Sequence, residues 1–343
     1  MSRKTRFIDA CYRRPVDCTP VWLMRQAGRY QASYQAIRQN MSFFELCSTP
    51  DVAAEVTVNA VEELGVDAGI IFSDILVPLR AMGAPVELTH SGPKLSDPIR
   101  DEAGVAALEV VDPLATMPFV MRAIEIFNDH FQGEVPLIGF AGGPITLAAY
   151  LTEGGHSKSY ADLKRMLFAA PKTAHQLLDK LARQVVEHLK AQVEAGCHAV
   201  QVFDSWVGVL SPSDYAELAL PYHQRIFDEL RGLGVPRILF GTDTATLLPQ
   251  MATVDAEVIG LDWRIDLDEG WRIVGERRAV QGNLDPCCLL MDQPALEKRV
   301  QQVVDAAAGR DGHIFNLGHG VLPPTPVENA RFVVETVHRL TQR

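Results

Sequence analysis

This chain is short of the features that would place it elsewhere. It has no Cys-x-x-Cys pair, and its six cysteines (Cys11, Cys18, Cys47, Cys197, Cys287, Cys288) are scattered over 343 residues. That is too sparse for a disulfide scaffold and implies free thiols in a reducing compartment. No stretch approaches the roughly 18 apolar residues of a membrane span. The opening MSRKTRFIDACYRR is basic and then polar, without the apolar core of a secretory signal. Together these absences set the expectation of a cytoplasmic protein with no membrane contact. Positive charge is scarce too: 32 Lys and Arg against 43 Asp and Glu leave a formal net charge of −11. Such a balance argues against a nucleic-acid partner. It leaves room for a small acidic ligand, because a local arginine cluster can hold carboxylates inside a protein that is acidic overall.

Several catalytic signatures are also missing. No Gly-x-Gly-x-x-Gly turn follows the first apolar run, as a doubly wound dinucleotide fold would want. No Gly-Lys-Ser/Thr follows the glycines of 139–143, and no Gly-x-Ser-x-Gly elbow surrounds Ser205. His313 and His319 have no cysteine after them, and Cys287-Cys288 lie far upstream, so zinc-ligand spacing is absent. No linker or internal repeat divides the chain. The expectation is a single domain over residues 1–343.

What is present is a recurring pattern. Short, nearly continuous apolar runs lie at 20–24, 69–73, 136–140, 199–203, 236–240, 257–261, 278–282 and 313–317. Continuous rather than alternating apolarity is the mark of parallel strands buried on both faces. Helical segments stand between them. Thr49-Pro50-Asp51 opens one that Gly65 closes, an apolar stripe over 175–195 forms another, and Ser211-Pro212 opens a third that continues from Tyr215 to Leu230. Strand and helix alternating about eight times predict an α/β protein, a single (β/α)8 TIM-type barrel. The stretch from about 80 to 112, rich in Gly and Pro and poor in helical period, reads as an insertion after strand two, a candidate hairpin lid.

In such barrels the active site lies at the C-terminal ends of the strands. Those ends carry Arg25, Gln26, Gly28 and Arg29, then Ser73-Asp74, then the run 139–144 leading to Tyr150. After them come Asp204-Ser205, Gly241, Asp262, Gly282-Asn283 and Gly318-His319-Gly320. The decapeptide 20–29, PVWLMRQAGR, is the sharpest of these. Arginine presents a fixed cation with a planar fork that matches a carboxylate, and Gly28 lets backbone approach a ligand. Each residue also has a plain reading. The two arginines fit surface ion pairs, Asp74 and Ser205 fit helix caps, Tyr150 a core aromatic, and His319 a structural imidazole. The glycine run fits either a tight turn or a phosphate cradle, and Cys287-Cys288 fit buried packing.

Taken in order, PVWLMRQAGR (20–29), IIFSDIL (70–76), GFAGGPITLAAY (139–150), VFDSWVG (202–208) and NLGHG (316–320) closely resemble the uroporphyrinogen decarboxylase family of the haem pathway, over essentially the whole chain. The resemblance implies a (β/α)8 barrel, a homodimer and no metal or organic cofactor. It also implies a reaction: decarboxylation of the four acetate side chains of uroporphyrinogen III to methyls, giving coproporphyrinogen III. It assigns Arg25 and Arg29, with the backbone of Gln26, Ala27 and Gly28, to the substrate's carboxylates. Asp74 is placed beneath the pyrrole N–H groups, and Tyr150, Ser205 and His319 around the carboxylate side chains. Asp74, Arg25, Tyr150 and His319 are its catalytic candidates, and Arg38 matches a further family arginine. Two departures stand out: Tyr30-Gln31-Ala32-Ser33-Tyr34 where Leu-Pro usually follows the tyrosine, and Ile145 where an aromatic is usual. The alternatives are a corrinoid-dependent methyltransferase of the same superfamily and a non-catalytic tetrapyrrole carrier.

Overall fold

A parallel sheet organises the chain. The structure, a computed structural model, describes residues 1–89, 92–155 and 157–343. Its strands are β1 (Gly69–Ile70), β2 (Val86–Thr89), β3 (Gly92–Leu95), β4 (Leu137–Gly142), β5 (Ala199–Asp204), β6 (Arg237–Gly241), β7 (Val258–Gly260), β8 (Ala279–Gln281) and β9 (His313–Ile314). Among the described residues, seven of them form one sheet in the order β1-β4-β5-β6-β7-β8-β9, every neighbouring pair parallel. Every residue of β5 and β6 is buried, the polar Gln201, Asp204 and Arg237 along with the apolar majority.

The helices between strands follow their sequence punctuation. Pro50–Leu64 ends on Gly65 at φ 71°, a left-handed cap that suits glycine. Pro171–Glu194 lays Leu177, Leu178, Leu181, Val185 and Leu189 on the sheet as one buried stripe. The expected helix from Ser211 to Leu230 is broken at Ala219 into Pro212–Leu218 and Leu220–Glu229. Pro221 lacks the amide that a continuous helix would need there. One further helix, Arg3–Cys11, was not expected; its basic and polar face hides Phe7, Ala10 and Cys11. Those three side chains join one cluster with Trp22, Ala68, Ile138, Ala199, Ile238, Val258, Ala279 and Ile314. That cluster draws one side chain from nearly every strand position around the sheet.

The segment 20–24 is not a ladder strand. Among the described residues, its only strand-type pairing is an isolated parallel bridge between Val21 and Phe315. Trp22 N–H donates to Phe315 O at 3.3 Å, Phe315 N–H to Pro20 O at 2.9 Å, and Asp67 N–H to Val21 O at 2.7 Å. Side chains take over the remaining backbone groups. The Leu23 amide donates to Gln26 Oε1 at 3.1 Å and the Met24 amide to Asn316 Oδ1 at 2.9 Å. A ladder would need those same amides, so the segment carries one bridge instead of a run.

The stretch after β1 is more ordered than its composition implies. It holds the helices Val77–Ala81 and Glu102–Ala107 and the antiparallel pair β2–β3. The tip of that hairpin, His90-Ser91, lies outside the described residues. β3 docks by the Leu95 amide on Gly154 O at 2.9 Å, at the end of the helix Pro144–Glu153. Among the described side chains of β2 and β3, those of Val86, Glu87, Lys94 and Leu95, none lines the cleft described below.

Candidate active site

One cleft of about 400 Å³ opens where the strand ends gather. Arg25, Gln26, Ala27, Gly28, Arg29 and Arg38 line it, together with Asp74, Tyr150, Ser205 and His319. The residues that the family resemblance singles out are therefore at one place. Phe72, Phe140 and Phe203 complete the wall, and Phe140 meets Phe203 edge-on at 5.6 Å between ring centroids. The site is a broad apolar surface with charge at selected points, the usual character of an organic-ligand cleft.

Arg25 stands at its electrostatic centre. Its backbone holds φ at 58°, in the left-handed region, a conformation that costs a non-glycine residue on the order of 1 kcal/mol. The local turn over-determines it: Gln26 N–H donates to Leu23 O at 2.8 Å, and Val321 N–H to Met24 O at 2.9 Å. Gln26 is itself buried, its side chain bridging Leu23 N and Ala68 O. Among the described residues, the guanidinium groups of Arg25 and Arg29 have no carboxylate partner. Other arginines are held by carboxylates, as Arg237 is by Glu257 at 2.7 Å and Arg6 by Asp67 at 2.6 Å. Arg38 donates to Met41 O. Two exposed cations left unpaired in a cleft are what an anionic ligand needs.

The backbone clamp is narrower than expected. The Gln26 amide is spent on Leu23 O, and the Gly28 amide donates to Gln31 Oε1 at 3.0 Å. Among the described residues only the Ala27 amide of the three has no protein acceptor. The departure at position 31 explains part of this. Gln31 opens the helix Ala32–Arg38, accepts from Gly28 and donates to Glu63 at 2.9 Å. It stiffens the loop by side-chain hydrogen bonds. Ile145, the other departure, is fully buried.

Asp74 makes a local turn and not the helix cap of its plain reading, since the helix Val77–Ala81 opens on Leu76 without a side-chain cap. Its Oδ1 accepts the Leu76 amide at 2.8 Å, a local turn bond. Among the described residues, Oδ2 has no hydrogen-bond partner. Burial raises the Asp74 pKa, against the opposing pull of the Leu76 amide and of Arg25. Burial pushes Tyr150 up to about 12, with Asp74 adding to the rise and Arg25 opposing it. Burial pushes His319 down to about 4, helped by the charges of Arg25 and Arg264. At pH 7 the cleft thus presents a neutral phenol and a neutral imidazole, both able to donate hydrogen bonds. His319 also faces Phe240 at 6.5 Å. Next to Asp74, the Ser73 hydroxyl is buried without a partner among the described residues.

Other strand-end residues are structural. Asp204 and His223 are fully buried and hydrogen-bonded to each other at 2.8 Å. Asp262 accepts the Asp243 amide at 2.6 Å and pairs with Arg264 at 2.7 Å. Asn283 donates to Asp262 O and Ile265 O. The glycine run is a close-approach device, because a Cβ on Gly143 would lie 2.3 Å from Asp204 Cβ. Asp204 itself takes the helix-start amides of Ile145 and Thr146, the groups a phosphate would have used. Cys287 is exposed and only Cys288 buried, so the packing expected of the pair holds for one of them. Among the described residues, no group of three His, Cys, Asp or Glu side chains is gathered as a metal centre would require. Trp206, whose ring covers Tyr150 at 4.2 Å, escaped the sequence reading. Its place in VFDSWVG was visible, but nothing there tied it to a residue 56 positions earlier.

The profile of the family described as uroporphyrinogen decarboxylase (URO-D) matches residues 2–340. The uroporphyrinogen decarboxylase of Myxococcus xanthus (strain DK1622) is 51% identical over 334 residues, covering 97% of this chain and 96% of its own. That of Trichlorobacter lovleyi is 49% identical over 338 residues, 98% of this chain and 99% of its own. Among solved structures, a methyltransferase from Methanosarcina mazei superposes with a TM-score of 0.83 at 20% identity, covering 99% of each chain. That likeness is one of fold alone.

Proposed function

This chain belongs to the uroporphyrinogen decarboxylase family, and from that premise we propose that the cleft holding Arg25 and Asp74 is where uroporphyrinogen III loses its acetate carboxylates. The activity is decarboxylation in haem biosynthesis, a carboxy-lyase reaction. The observation that carries the placement is the pair of unpartnered guanidinium groups facing a carboxylate with one free oxygen. A ligand that answers both has an acidic rim and an N–H-bearing centre, which describes a cyclic tetrapyrrole with acetate and propionate arms.

The roles follow from the charges. Arg25 and Arg29, with the Ala27 amide, hold rim carboxylates; Ser205, Tyr150 and His319 add neutral hydrogen bonds. Asp74 accepts from the pyrrole N–H groups through its free oxygen. Losing CO2 from an acetate arm leaves an electron pair on the methylene carbon. If the adjacent pyrrole is first protonated at carbon, that pair flows into the cationic ring; a second proton then completes the methyl, and the ring carbon gives up the first to restore the pyrrole, so one proton is consumed per CO2 released. The ring is its own electron sink, so the reading needs no cofactor. Burial leaves the Asp74 anion poorly solvated, and a cationic ring above it supplies the missing compensation. A fixed charge aimed at where charge develops is commonly worth on the order of 10²–10³ in rate.

We also read the sheet as a closed (β/α)8 barrel. The Val21–Phe315 bridge and the Asp67–Val21 hydrogen bond support segment 20–24 as the eighth stave, and β2–β3 then form an insertion after the second. The family profile spans nearly the whole chain, which supports one domain over 1–343. Among the described residues no helix is long and apolar enough to cross a membrane. A cytoplasmic homodimer remains the reading for location and assembly. Anaerobic turnover of reduced uroporphyrinogen III, with products separated by chromatography, tests the function. Coproporphyrinogen III is the expected product, and no decarboxylation of a correctly reduced substrate would overturn the reading.

A further inference from the structure

The buried Asp204–His223 pair lies outside the cleft, and the reaction as described does not use it. Asp204 accepts four hydrogen bonds: from the Thr146 amide at 2.7 Å, Thr146 Oγ1 at 2.6 Å, the Ile145 amide at 3.3 Å and His223 Nε2 at 2.8 Å. The other ring nitrogen of His223, Nδ1, hydrogen-bonds the Tyr215 hydroxyl at 3.0 Å, so the imidazole is held at both nitrogens. Two amides would suffice to cap the helix Pro144–Glu153. The hydroxyl does something else. Thr146 Oγ1 gives its proton to Asp204 and accepts the Trp206 amide at 3.0 Å. The Trp206 ring then stacks on Tyr150 at 4.2 Å and 34°. Thr146 and Tyr150 are four residues apart on one helix and share a face. Trp206 is therefore pinned by its backbone at Thr146 and reaches Tyr150, one turn on, with its ring.

We propose that Asp204, fixed by His223 and Tyr215, is a positioning residue that acts through Thr146 and Trp206 to hold the Tyr150 ring against the cleft wall. Gly143 makes the arrangement possible, since any side chain there would strike Asp204. The proposal rests on the reading that Tyr150 meets substrate.

The test is a kinetic double-mutant cycle on the full-length enzyme with uroporphyrinogen III. Thr146→Val removes the hydroxyl at constant shape, Thr146→Ser keeps it, and Tyr150→Phe removes the phenol. Thr146→Val is expected to lower kcat/KM by about tenfold to a hundredfold, the scale of a misplaced catalytic group. Thr146→Ser should restore it, and in the Tyr150→Phe background Thr146→Val should add no further loss. If Thr146→Val fails to fold, His223→Leu is read in the same two backgrounds. Losses that multiply, a silent Thr146→Val or a Thr146→Ser that fails to rescue would overturn the positioning role while leaving that of Tyr150 intact. A silent Tyr150→Phe would instead remove the reading beneath the proposal, and the proposal with it.

Discussion

Gly320 is the seat of the Arg25 side chain. A Cβ at position 320 would lie 2.3 Å from Arg25 Cδ, 2.7 Å from Cγ and 3.0 Å from Nε. The first motif of the chain and the last are one contact, and the glycine of NLGHG is there to leave room for the arginine of PVWLMRQAGR. The φ of Gly320 is outside the left-handed region, so the position wants a missing side chain rather than a special backbone.

Gly320→Ala should therefore keep the fold and displace the guanidinium. The methyl meets a flexible side chain, which can move, whereas the β9 region behind it need not. Losing one charge-assisted hydrogen bond costs about 1.5 kcal/mol or more, so KM is expected to rise about tenfold with Tm nearly unchanged. Steady-state kinetics beside a melting curve decide the matter. An unaltered KM would mean that Arg25 does not anchor a carboxylate.

Asp74→Asn should cut activity and raise stability together. The removed charge is the one set against the cationic ring, so kcat should fall about a hundredfold or more. Stability moves the other way. Burial raises the Asp74 pKa above its ordinary value of 3.8, so the folded chain holds this proton more tightly than the unfolded one. Such a group stabilises at low pH, and that contribution is lost as pH rises through the folded pKa. At pH 7 the ionised side chain is a net cost, which asparagine removes. A higher Tm at pH 7, with an advantage that shrinks on acidification, is the expected result. A variant that is both fully active and no more stable would contradict both halves.

Buried histidines set the acid limit of the fold. His188 and His313 are each 3% exposed, and burial pushes each from 6.5 down to about 4. The folded protein keeps them neutral, while the unfolded chain takes up their protons from about pH 6.5 downward. Stability is therefore complete above the unfolded value and falls as pH drops from about 6.5 toward 4. Each contributes a slope of up to about 1.4 kcal/mol per pH unit near pH 5. Urea unfolding between pH 4.5 and 7 should show this loss. His188→Leu, which also removes an Nδ1 without a partner, should flatten the slope by one proton's worth. An identical slope would show that His188 is not the proton acceptor.

Much of this arrangement was legible in the sequence, and the gaps have physical causes. Continuous apolar runs gave the buried strands to within a residue or two in most cases, since burial on both faces admits little else. The run at 20–24 had the same composition and made only a bridge, because Gln26 and Asn316 side chains claim its amides. Composition cannot register that competition. The residues that line the cleft were legible because strand ends in such folds face one mouth. Which backbone amides stay free was hidden, because it depends on Gln31 reaching back to Gly28. Asp204 was visible as a strand-end acid, but only packing shows that it faces the helix start and not the cleft. The helix Arg3–Cys11 was hidden by its charged outer face, which masks three buried apolar positions.

His319 acts as a neutral group, and its pH behaviour follows. Its pKa is pushed down to about 4, first by burial and then by the charges of Arg25 and Arg264. Across the working range the imidazole is uncharged, so it offers one donor and one acceptor and adds no further cation to the arginine rim. The kcat/KM profile should therefore show no inflection near pH 6.5 arising from this residue. His319→Gln, which keeps a neutral donor and acceptor, should preserve the shape of the profile and lower its height by less than about tenfold, the loss of one imperfectly replaced hydrogen bond. The cause can be tested separately. In Arg25→Gln the His319 ring, followed by NMR titration, should shift its pKa upward yet stay below 6.5, because burial remains the larger effect. A His319 that titrates near 6.5 in the parent protein would place a cation in the cleft at mildly acidic pH, and the neutral-donor role would fail.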